Sequence, residues 1–569
     1  MSIESPFPPV QIPSSSVYDY LFADIDPAVA EQVALLDSKT GTTLTYRQMI
    51  DRIDAFAGAL AARGLGPGDV VGLLSPNSSA FAVAFHGILR AGATATTINA
   101  LFTAKDITKQ LTDSKAALLV TVSALKPQAL EGALGAGLDE SSVIVLDGPG
   151  AETDGHHNAD DLLGPAHPAP RVSFDPADHL AVLPYSSGTT GNPKGVMLTH
   201  RNLVSNVAQI RPLQGMRSGD VVLAVLPFFH IYGMTVLLNA ALHARAQLVV
   251  MPAFDLAEFL GNIADRRCTH AFIAPPVAVA LAKHPLVDDY DLSSLRAIMS
   301  GAAPLDEDLG KAVTARLGCA LVQGYGMSEL SPVSHITPFD GGRELVGAAA
   351  PVSSCGWTVP NSVSKLVDPA SGQEIGLPDS GLSETGELWF KGPNVMVGYL
   401  GNDSATRDTI DDDGFLHTGD LARVDPTGCI FIVDRLKELI KYKGYQVPPA
   451  ELEAVLLGHP SIADAAVVGV VEPESGEEVP KAFVVRQPDA ELDEQAVMDF
   501  VAGQVAPYKK VRQVAFIDAI PKSAAGKILR KDYAGGSPLV PAGGSPLVPA
   551  GGSPLVPAGG RARAARACR

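Results

Sequence analysis

Short apolar segments alternate with helical segments over much of the chain, and this alternation restricts the fold more than any other feature. The first series has strand-like segments at 70–75, 93–98 and 116–122, and helix-like segments at 47–63, 78–92 and 104–114. A second series, within residues 220–299, contains VVLAVLP, AQLVVMP, AFIAPP and LRAIMS between helical segments. Strands separated by helices are typical of βαβ units. The sequence therefore predicts an α/β fold, whose large N-terminal body combines mixed and parallel sheets with helices.

The character of the sequence changes near residue 430. Six of the ten residues in 434–443 are charged. Beyond them, the pattern predicts a helix at 449–459, strands at 464–471 and 481–487, and a helix at 493–505. This is a small α+β C-terminal domain. The tail that follows repeats GGSPLVPA three times over 535–558, and a segment so rich in Pro, Gly and Ser is expected to be disordered.

Composition excludes several classes of protein. With 569 residues and 46% hydrophobic residues, the chain can build several packed cores. A net charge of −19 argues against a nucleic-acid partner or an anionic membrane surface. The five cysteines are scattered without C-x-x-C spacing, which fits a reducing cytoplasm and no structural zinc. Neither a signal peptide nor a membrane span is predicted, so we expect a cytoplasmic protein.

The loop YSSGTTGNPKG at 185–195 has the composition of a polyphosphate site. Glycines bring backbone N–H groups close to an anion, the Ser and Thr hydroxyls donate hydrogen bonds, and Lys194 supplies a positive charge. It is not a Walker loop, because Pro193 and Gly195 occupy positions where that motif needs Gly and Ser or Thr. The alternative is an ordinary polar surface loop.

Two further motifs suit a flat, partly apolar ligand. PFFHIYG at 227–233 places His230 among aromatic residues, although a buried core histidine is the alternative. SGAAPL at 300–305 is a turn of small residues that lets a flat ligand approach the backbone, or else a simple packing turn.

Two motifs suit a nucleotide. QGYGMSE at 323–329 offers Tyr325 for stacking on a base and Glu329 for holding Mg²⁺. LHTGD at 416–420 places Asp420 after a glycine turn, where its carboxylate can accept hydrogen bonds from ribose hydroxyls. The alternatives are an ordinary glycine turn and a turn aspartate.

Two basic segments lie near the end of the folded part. DRLKELIKYKG at 434–444 carries Arg435 and three lysines, and its alternative interpretation is a charged helix face. PKSAAGKILR at 521–530 places Lys527 after a glycine, and its alternative is a solvated basic loop.

Taken together and in this order, these motifs identify a resemblance. The sequence resembles the ANL superfamily of adenylate-forming enzymes over about residues 20–532, and among them it is most similar to the 4-coumarate–CoA ligases. The resemblance implies a reaction in two steps. A carboxylate attacks the α-phosphate of MgATP to give acyl-AMP and pyrophosphate, and the thiol of coenzyme A then displaces AMP. ATP, Mg²⁺ and coenzyme A are the implied cofactors and co-substrates, and a small carboxylic acid is the implied partner.

The resemblance also implies roles for individual residues. Lys527 would stabilise charge on the α-phosphate, with Lys441, Gln446 and His230 as further catalytic residues. Lys437 would lie at a hinge, and Lys443 and Gly444 would approach coenzyme A after a domain rotation. Glu329 would bind the metal. The implied ATP and AMP contacts are Ser186, Ser187, Gly188, Thr189, Thr190, Lys194, Ala302, Gln323, Gly324, Tyr325, Ser328, Asp420, Arg435 and Lys437. The implied acyl pocket is lined by Tyr232, Thr235, Gly301, Gly324, Gly326, Pro332 and Val333.

We accordingly expect a large domain at 1–434, a hinge at 435–437, a small domain at 438–533 and a tail at 534–569. Two departures from relatives bear on function. Ala253 stands where relatives often carry a basic residue that helps hold coenzyme A. Thr235 and Val236 stand where plant enzymes tend to have Asn and Ser, so discrimination between a phenol and its deoxy analogue is expected to be weaker.

The expected acid is a hydroxycinnamate or cinnamate, and the alternative is a medium-chain fatty acid, which would make the protein a medium-chain fatty acyl-CoA synthetase. An adenylation module is disfavoured because no carrier domain follows residue 533, and a luciferase-like oxygenase because no Ser-Lys-Leu ends the chain. A catalytically dead binding protein would have lost Lys527, Glu329 or Asp420, and all three are present.

Overall fold

The structure is a computed structural model that describes residues 2–146, 167–186, 193–443, 445–472, 478–488, 490–523 and 526–533. The predicted phosphate loop residues Ser187, Gly188, Thr189 and Thr190, together with Gly444 and the repeat tail, lie outside the described residues.

The first α/β series forms a largely parallel sheet. Its strands, in spatial order, are Gly398–Tyr399, Lys194–Thr199, Leu180–Val182, Thr94–Ile98, Val70–Leu74, Leu118–Thr121 and Val143–Val145, and Tyr185–Ser186 pairs with Lys194–Thr199. The accompanying helices are Tyr46–Ala62, Ser79–Arg90, Ala104–Ser114 and Lys126–Gly135. The alternation predicted from sequence is confirmed here. The phosphate-loop edge is antiparallel, because Lys194–Thr199 returns alongside Leu180–Val182.

The second series forms another sheet, parallel at its centre. In spatial order its strands are Trp357–Thr358, Val333–Ile336, Ala320–Gly326, Ala297–Ser300, His270–Ile273, Val221–Ala224, Gln247–Val250, Val33–Asp37 and Thr43–Thr45. The helices of this half are His200–Ile210, Ala240–His243, Leu256–Arg266, Pro275–Lys283 and Glu307–Leu317, and Tyr232–Asn239 is a π-helical segment. The predicted strand AFIAPP ends at Ile273, because its prolines begin the next helix.

A third sheet in the large body is antiparallel. Its strands, in spatial order, are Ile3–Glu4, Val363–Val367, Gly386–Lys391, Leu416–Val424 and Ile430–Arg435, with Glu374–Ile375 paired to Val363–Val367. Short helices at Val17–Phe22, Pro27–Ala30 and Asp403–Thr409 complete the body. LHTGD is therefore part of a strand rather than a free turn. The alternative of a charged helix at 434–443 is wrong, because this segment ends one strand and begins a hairpin.

The small domain has the predicted α+β character. A hairpin of Ile440–Tyr442 and Tyr445–Val447 precedes a sheet of Ile462–Val471, Glu478–Arg486 and Gln513–Phe516. The helices are Pro449–Gly458 and Glu494–Ala502, and their apolar sides pack on the sheet through Leu452, Leu456, Val497 and Val501. Among the described residues, no helix has both the length and the apolar character needed to cross a membrane.

We predict that Gly356, which joins the second and third sheets, tolerates no side chain. Its φ of +81° is in the left-handed region, and a Cβ there would overlap the backbone of Ile336. Gly356→Ala should lower the free energy of unfolding by about 3 kcal/mol or more, measured by chemical denaturation with circular dichroism. Gly372→Ala is the matched control, because Gly372 has a φ of +70° but open space around it. We expect the control to cost about 1 kcal/mol, and equal losses in the two variants would contradict the argument.

Candidate active site

Two loops at the carboxyl edge of the second sheet bring SGAAPL and QGYGMSE together. The strands Ala297–Ser300 and Ala320–Gly326 are parallel neighbours, with Ser300 in register with Gln323. Parallel register places the residues that follow Ser300 beside Gly324, Tyr325 and Gly326. Ala302 has a φ of +75°, a conformation that turns the backbone sharply at the start of its loop. The predicted adenine-binding residues thus share one edge of the sheet.

The Gln323 side chain holds the two loops together. Its Oε1 accepts from the Leu305 N–H at 2.9 Å, and its Nε2 donates to the carbonyl oxygens of Leu305 and Val352. The side chain is 4% exposed. Gln323 therefore shapes the pocket with its side chain, and only its backbone is left to face a ligand.

A chain of polar groups around the buried Asp420 links the second and third sheets. The Tyr325 hydroxyl donates to Asp420 Oδ2 at 2.6 Å, and Arg435 Nε lies 3.3 Å from Asp420 Oδ1. Asp420 faces Arg435 because the two are paired across antiparallel strands. Burial raises the pKa of Asp420, an effect that Arg435 and the Tyr325 hydrogen bond oppose. The carboxylate, the phenol and the guanidinium are thus held in fixed positions before any ligand binds.

Glu329 lies close to the lysine of the phosphate loop. It is 5% exposed in the 3₁₀ turn Ser328–Leu330, and the Tyr399 hydroxyl donates to its Oε1 at 2.8 Å. Lys194 Nζ lies 4.5 Å from the centre of the Tyr399 ring. The short strand Gly398–Tyr399 pairs with Lys194–Thr199, and this pairing holds the Tyr399 side chain between Lys194 and Glu329. Sequence reasoning missed Tyr399, because a two-residue strand gives no periodic signal; the aromatic residue after a glycine in VGYLG was the available clue.

The small domain delivers Lys527 to this edge of the large domain. The charges that act on Lys527 are those of Arg435, Asp420, Glu329 and Glu438. Burial, with a contribution from Arg435, lowers the pKa of Lys527 to about 8. The loop that carries it is seated on the large domain at Gly526, where an added Cβ would lie 3.0 Å from Ala274 Cβ. Lysine, aspartate and glutamate from distant parts of the chain therefore share one electrostatic site.

His230 lies near the same lysine and is neutral. Its Nδ1 accepts a hydrogen bond from the Tyr232 N–H at 3.2 Å, so a neutral ring carries its proton on Nε2. Burial, and the charge of Lys527, lower the pKa of His230 to about 3. His230 is therefore placed as a neutral hydrogen-bond donor rather than a cation.

The predicted acyl pocket residues also come together. The Tyr232 hydroxyl donates to the Met299 carbonyl at 3.2 Å, and a Cβ on Gly301 would lie 3.0 Å from the Tyr232 ring. On the other side, a Cβ on Gly326 would overlap the carbonyl of Pro332, which precedes the buried Val333. Gly326 is needed at its contact, and a side chain at Gly301 would require a shift of the Tyr232 ring. Thr235 is 0% exposed, and within the described part of the chain its hydroxyl has no hydrogen-bond partner.

The remaining predicted residues lie outside this cluster or at its margin. Lys441 and Gln446 face each other across an exposed hairpin, and the Lys441 N–H donates to Glu478 Oε2 at 2.7 Å. Lys443, at the tip of that hairpin, is exposed with a φ of +49°, and Lys437 is also exposed. Ser186 pairs with Lys194 at the start of the phosphate loop.

The site and the fold together define a class. A large α/β body and a small C-terminal domain, with the predicted nucleotide-binding residues close to a lysine of the small domain, are the arrangement of adenylate-forming enzymes. Comparison gives the family: the chain belongs to the AMP-binding enzyme family, whose profile matches residues 26–400, with the AMP-binding enzyme C-terminal domain matched at 451–527.

Relatives narrow the membership further. The chain is 43% identical to 4-coumarate–CoA ligase 2 of Oryza sativa subsp. japonica, over 93% of this chain and 94% of that protein. It is 41% identical to 4-coumarate–CoA ligase 2 of Petroselinum crispum, over 93% and 95% of the two chains. The family to which it belongs therefore includes the 4-coumarate–CoA ligases.

Solved structures share the whole fold. ATP-bound MatB from Rhodopseudomonas palustris matches with a TM-score of 0.79 and 29% identity, over 92% of this chain and 99% of that one. The apo form of the same protein matches with a TM-score of 0.70 and 28% identity, over the same shares of the two chains. The present arrangement is therefore more similar to the ATP-bound form than to the apo form.

We predict that Lys527 titrates near pH 8 in the free protein. A lysine is charged below its pKa, so the cation is present below this value and is lost as the pH rises through it. Competitive labelling with trace acetic anhydride from about pH 6 to about pH 11 measures each lysine separately. Lys311 is the control, because its exposed ion pair with Glu307 raises its pKa above 10.5. Labelling of Lys527 in step with Lys311 would contradict the prediction.

Proposed function

We propose that the protein is an AMP-forming acid–CoA ligase that converts a hydroxycinnamate or cinnamate to its CoA thioester by way of an acyl-AMP. The observation that carries the proposal is the meeting of Lys527 with Asp420, Arg435 and Glu329 at the carboxyl edge of the second sheet. Identity of 41–43% with 4-coumarate–CoA ligases over 93% of the chain supports the substrate class.

In the first step, a carboxylate oxygen of the acid attacks the α-phosphorus of ATP. The new P–O bond gives acyl-AMP, and the bond to the β-phosphate breaks, so that pyrophosphate leaves. Negative charge builds on the α-phosphate oxygens, and Lys527 is the cation placed to stabilise it. Lys194 holds the β- and γ-phosphates, together with Ser186, Ser187, Gly188, Thr189 and Thr190.

The polar chain binds the nucleoside. Asp420 accepts hydrogen bonds from the ribose hydroxyls, and Arg435 opposes the rise in the pKa of this carboxylate that burial causes. Tyr325 presents its ring to the adenine while its hydroxyl remains on Asp420. Ala302, the backbone of Gln323 and Gly324 complete the adenine pocket, and Ser328 lies beside the α-phosphate.

Magnesium accompanies the nucleotide. Mg²⁺ in nucleotide sites is held by one or two carboxylates together with the phosphates, and keeps several waters. Glu329 fits this requirement, because it is a buried carboxylate that Tyr399 connects to Lys194, and within the described part of the chain its Oε2 accepts no hydrogen bond. When bound, the metal would neutralise charge on the phosphates, and Tyr399 would orient its ligand.

In the second step, the sulfur of coenzyme A attacks the acyl carbonyl and AMP leaves. The small domain, 438–533, rotates about the hinge at 435–437, which withdraws Lys527 and brings Lys443 and Gly444 toward coenzyme A. Lys441 and Gln446 are on the same exposed hairpin, so they change position with it.

The buried free thiols at Cys268, Cys319, Cys355 and Cys429 suit a reducing cytoplasm.

The acyl group occupies a pocket lined by Tyr232, Gly301 and Gly326. His230 gates this pocket and donates from Nε2 toward the carboxylate. The buried Thr235 hydroxyl would gain a partner from a ring hydroxyl, whereas Val236 offers none. A phenol is therefore favoured over its deoxy analogue by one contact only.

We predict thioester formation with 4-coumarate and, less efficiently, with cinnamate. The assay measures acyl-CoA from a panel of cinnamates and medium-chain fatty acids with ATP and coenzyme A. Loss of one hydrogen bond is worth about 1 kcal/mol, so we expect a preference of about fivefold in kcat/KM. Turnover of fatty acids but of no cinnamate would assign the protein to the fatty acyl-CoA synthetases instead.

We predict that Lys527→Ala separates the two steps. The rate of acyl-AMP formation, measured by ATP–pyrophosphate exchange, should fall by about a thousandfold, because the α-phosphate loses its cation. Conversion of supplied acyl-AMP and coenzyme A to the thioester should stay near the wild-type rate. Lys522→Ala is a control in the same segment, because Lys522 pairs with Asp464 inside the small domain. An equal loss of both steps would contradict the domain rotation.

A further inference from the structure

A lysine of the large domain covers the end of a helix in the small domain. Lys283 is the last residue of the helix Pro275–Lys283, and its Nζ lies 2.7 Å from the carbonyl oxygen of Leu457. It also lies 3.4 Å from the carbonyl oxygens of His459 and Ile462. An ammonium has three N–H donors, and here each is offered a backbone carbonyl.

The carbonyls of Leu457 and His459 belong to the C-terminal end of the helix Pro449–Gly458, and Ile462 begins the strand that follows. The last carbonyls of a helix have no partner within it, and they carry the negative end of the helix dipole. Burial lowers the pKa of Lys283, and the charge of Lys283 contributes, after burial, to lowering the pKa of His459. A cation is thus held against the negative end of a helix that belongs to the other domain.

The opposite end of the same helix is also capped by the large domain. Asp434, 5% exposed at the end of the strand Ile430–Arg435, accepts from the Ala450 N–H at 3.0 Å through Oδ2. Pro448, at the cap position, provides no side-chain hydrogen bond. Both charges match the polarity of the helix, negative at its start and positive at its end.

The helix Pro275–Lys283 connects this contact to the active site. Its nine residues span about 13 Å. Ala274, immediately before its start, is the residue against which Gly526 packs, next to Lys527. One rigid element of the large domain therefore contacts the small domain at both ends, once beside the catalytic lysine and once through Lys283.

We propose that Lys283 is a latch, a positioning residue that holds the small domain in the orientation that delivers Lys527 for acyl-AMP formation. The inference rests on the proposed two-step function. Rotation for the coenzyme A step must break the three contacts of Lys283 and return its ammonium to water. Lys283 thereby sets the balance between the two orientations without touching either substrate. The greater similarity to ATP-bound than to apo MatB agrees with a latched, adenylate-forming orientation.

The test compares three variants in separate half-reactions. Lys283→Met keeps the length of the side chain but removes its charge and donors, whereas Lys283→Arg keeps both. Lys311→Met, on the neighbouring helix Glu307–Leu317, is the control, because that lysine is exposed and paired with Glu307. ATP–pyrophosphate exchange with an acid that the wild type activates measures the first step. Thioester formation from supplied acyl-AMP and coenzyme A measures the second.

We expect Lys283→Met to slow acyl-AMP formation by about tenfold to a hundredfold, the range for losing a charged donor from a buried contact. The second step should be unchanged or faster, Lys283→Arg should recover most of the first step, and Lys311→Met should alter neither. A parallel loss of both steps in Lys283→Met, or no loss in the first, would overturn the latch. A wild type that activates no acid would instead overturn the proposed function.

Hydrogen–deuterium exchange detects loss of the Lys283 contacts without enzymatic turnover. Hydrogen–deuterium exchange of the unliganded protein should show faster exchange around 270–284 and 449–462 in Lys283→Met than in the wild type. The same segments should keep wild-type rates in Lys311→Met. Unchanged exchange in Lys283→Met would contradict a latch, because undocking must expose both surfaces.

Discussion

The buried carboxylate of Asp420 is the constraint on which the rest of the site depends. It accepts from the Tyr325 hydroxyl at the end of one sheet and faces Arg435 on the next strand of another. The Asp420 carboxylate would be costly to bury alone, and the Tyr325 hydroxyl and Arg435 satisfy it. Arg435 is also the first residue of the proposed hinge. The interaction that we propose binds the nucleoside therefore also lies at the start of the proposed hinge.

Charge is concentrated locally in a protein whose net charge is −19. Lys527 and Arg435 disfavour one another, and burial further disfavours the lysine cation, whereas Asp420 and Glu329 favour it. This balance leaves Lys527 with a pKa near 8, so its charge is held weakly in the free protein. The negative charge of a bound polyphosphate would favour the charged form of Lys527. In the proposed reaction, a bound nucleotide would therefore complete the site electrostatically and further stabilise the docked orientation of the small domain.

Periodicity predicted the elements whose burial is regular and failed where contacts are long-range. The βαβ segments at 70–122 and the helices and strands of the small domain agree with the structure, because their apolar spacing reflects local packing. The antiparallel third sheet was not foreseen, because its strands pair with partners that are far away in the sequence. Motifs located Asp420, Glu329 and Lys527, but Tyr399 and Lys283 act through tertiary contacts, and no local pattern distinguishes them from other tyrosines and lysines.

Docking of the small domain buries two lysines, Lys527 and Lys283, with opposite effects on the free energy of docking. Docking removes Lys527 from water and lowers its pKa, which opposes the docked orientation. Docking also partly buries Lys283, but there three carbonyls, two of them at the negative end of a helix, replace the lost water. The second contact thus offsets the cost of the first at the far end of the same helix, Pro275–Lys283. Because the compensation lies outside the reacting groups, it stabilises docking without competing for the phosphate, and the Lys527 ammonium is left for the charge that develops there.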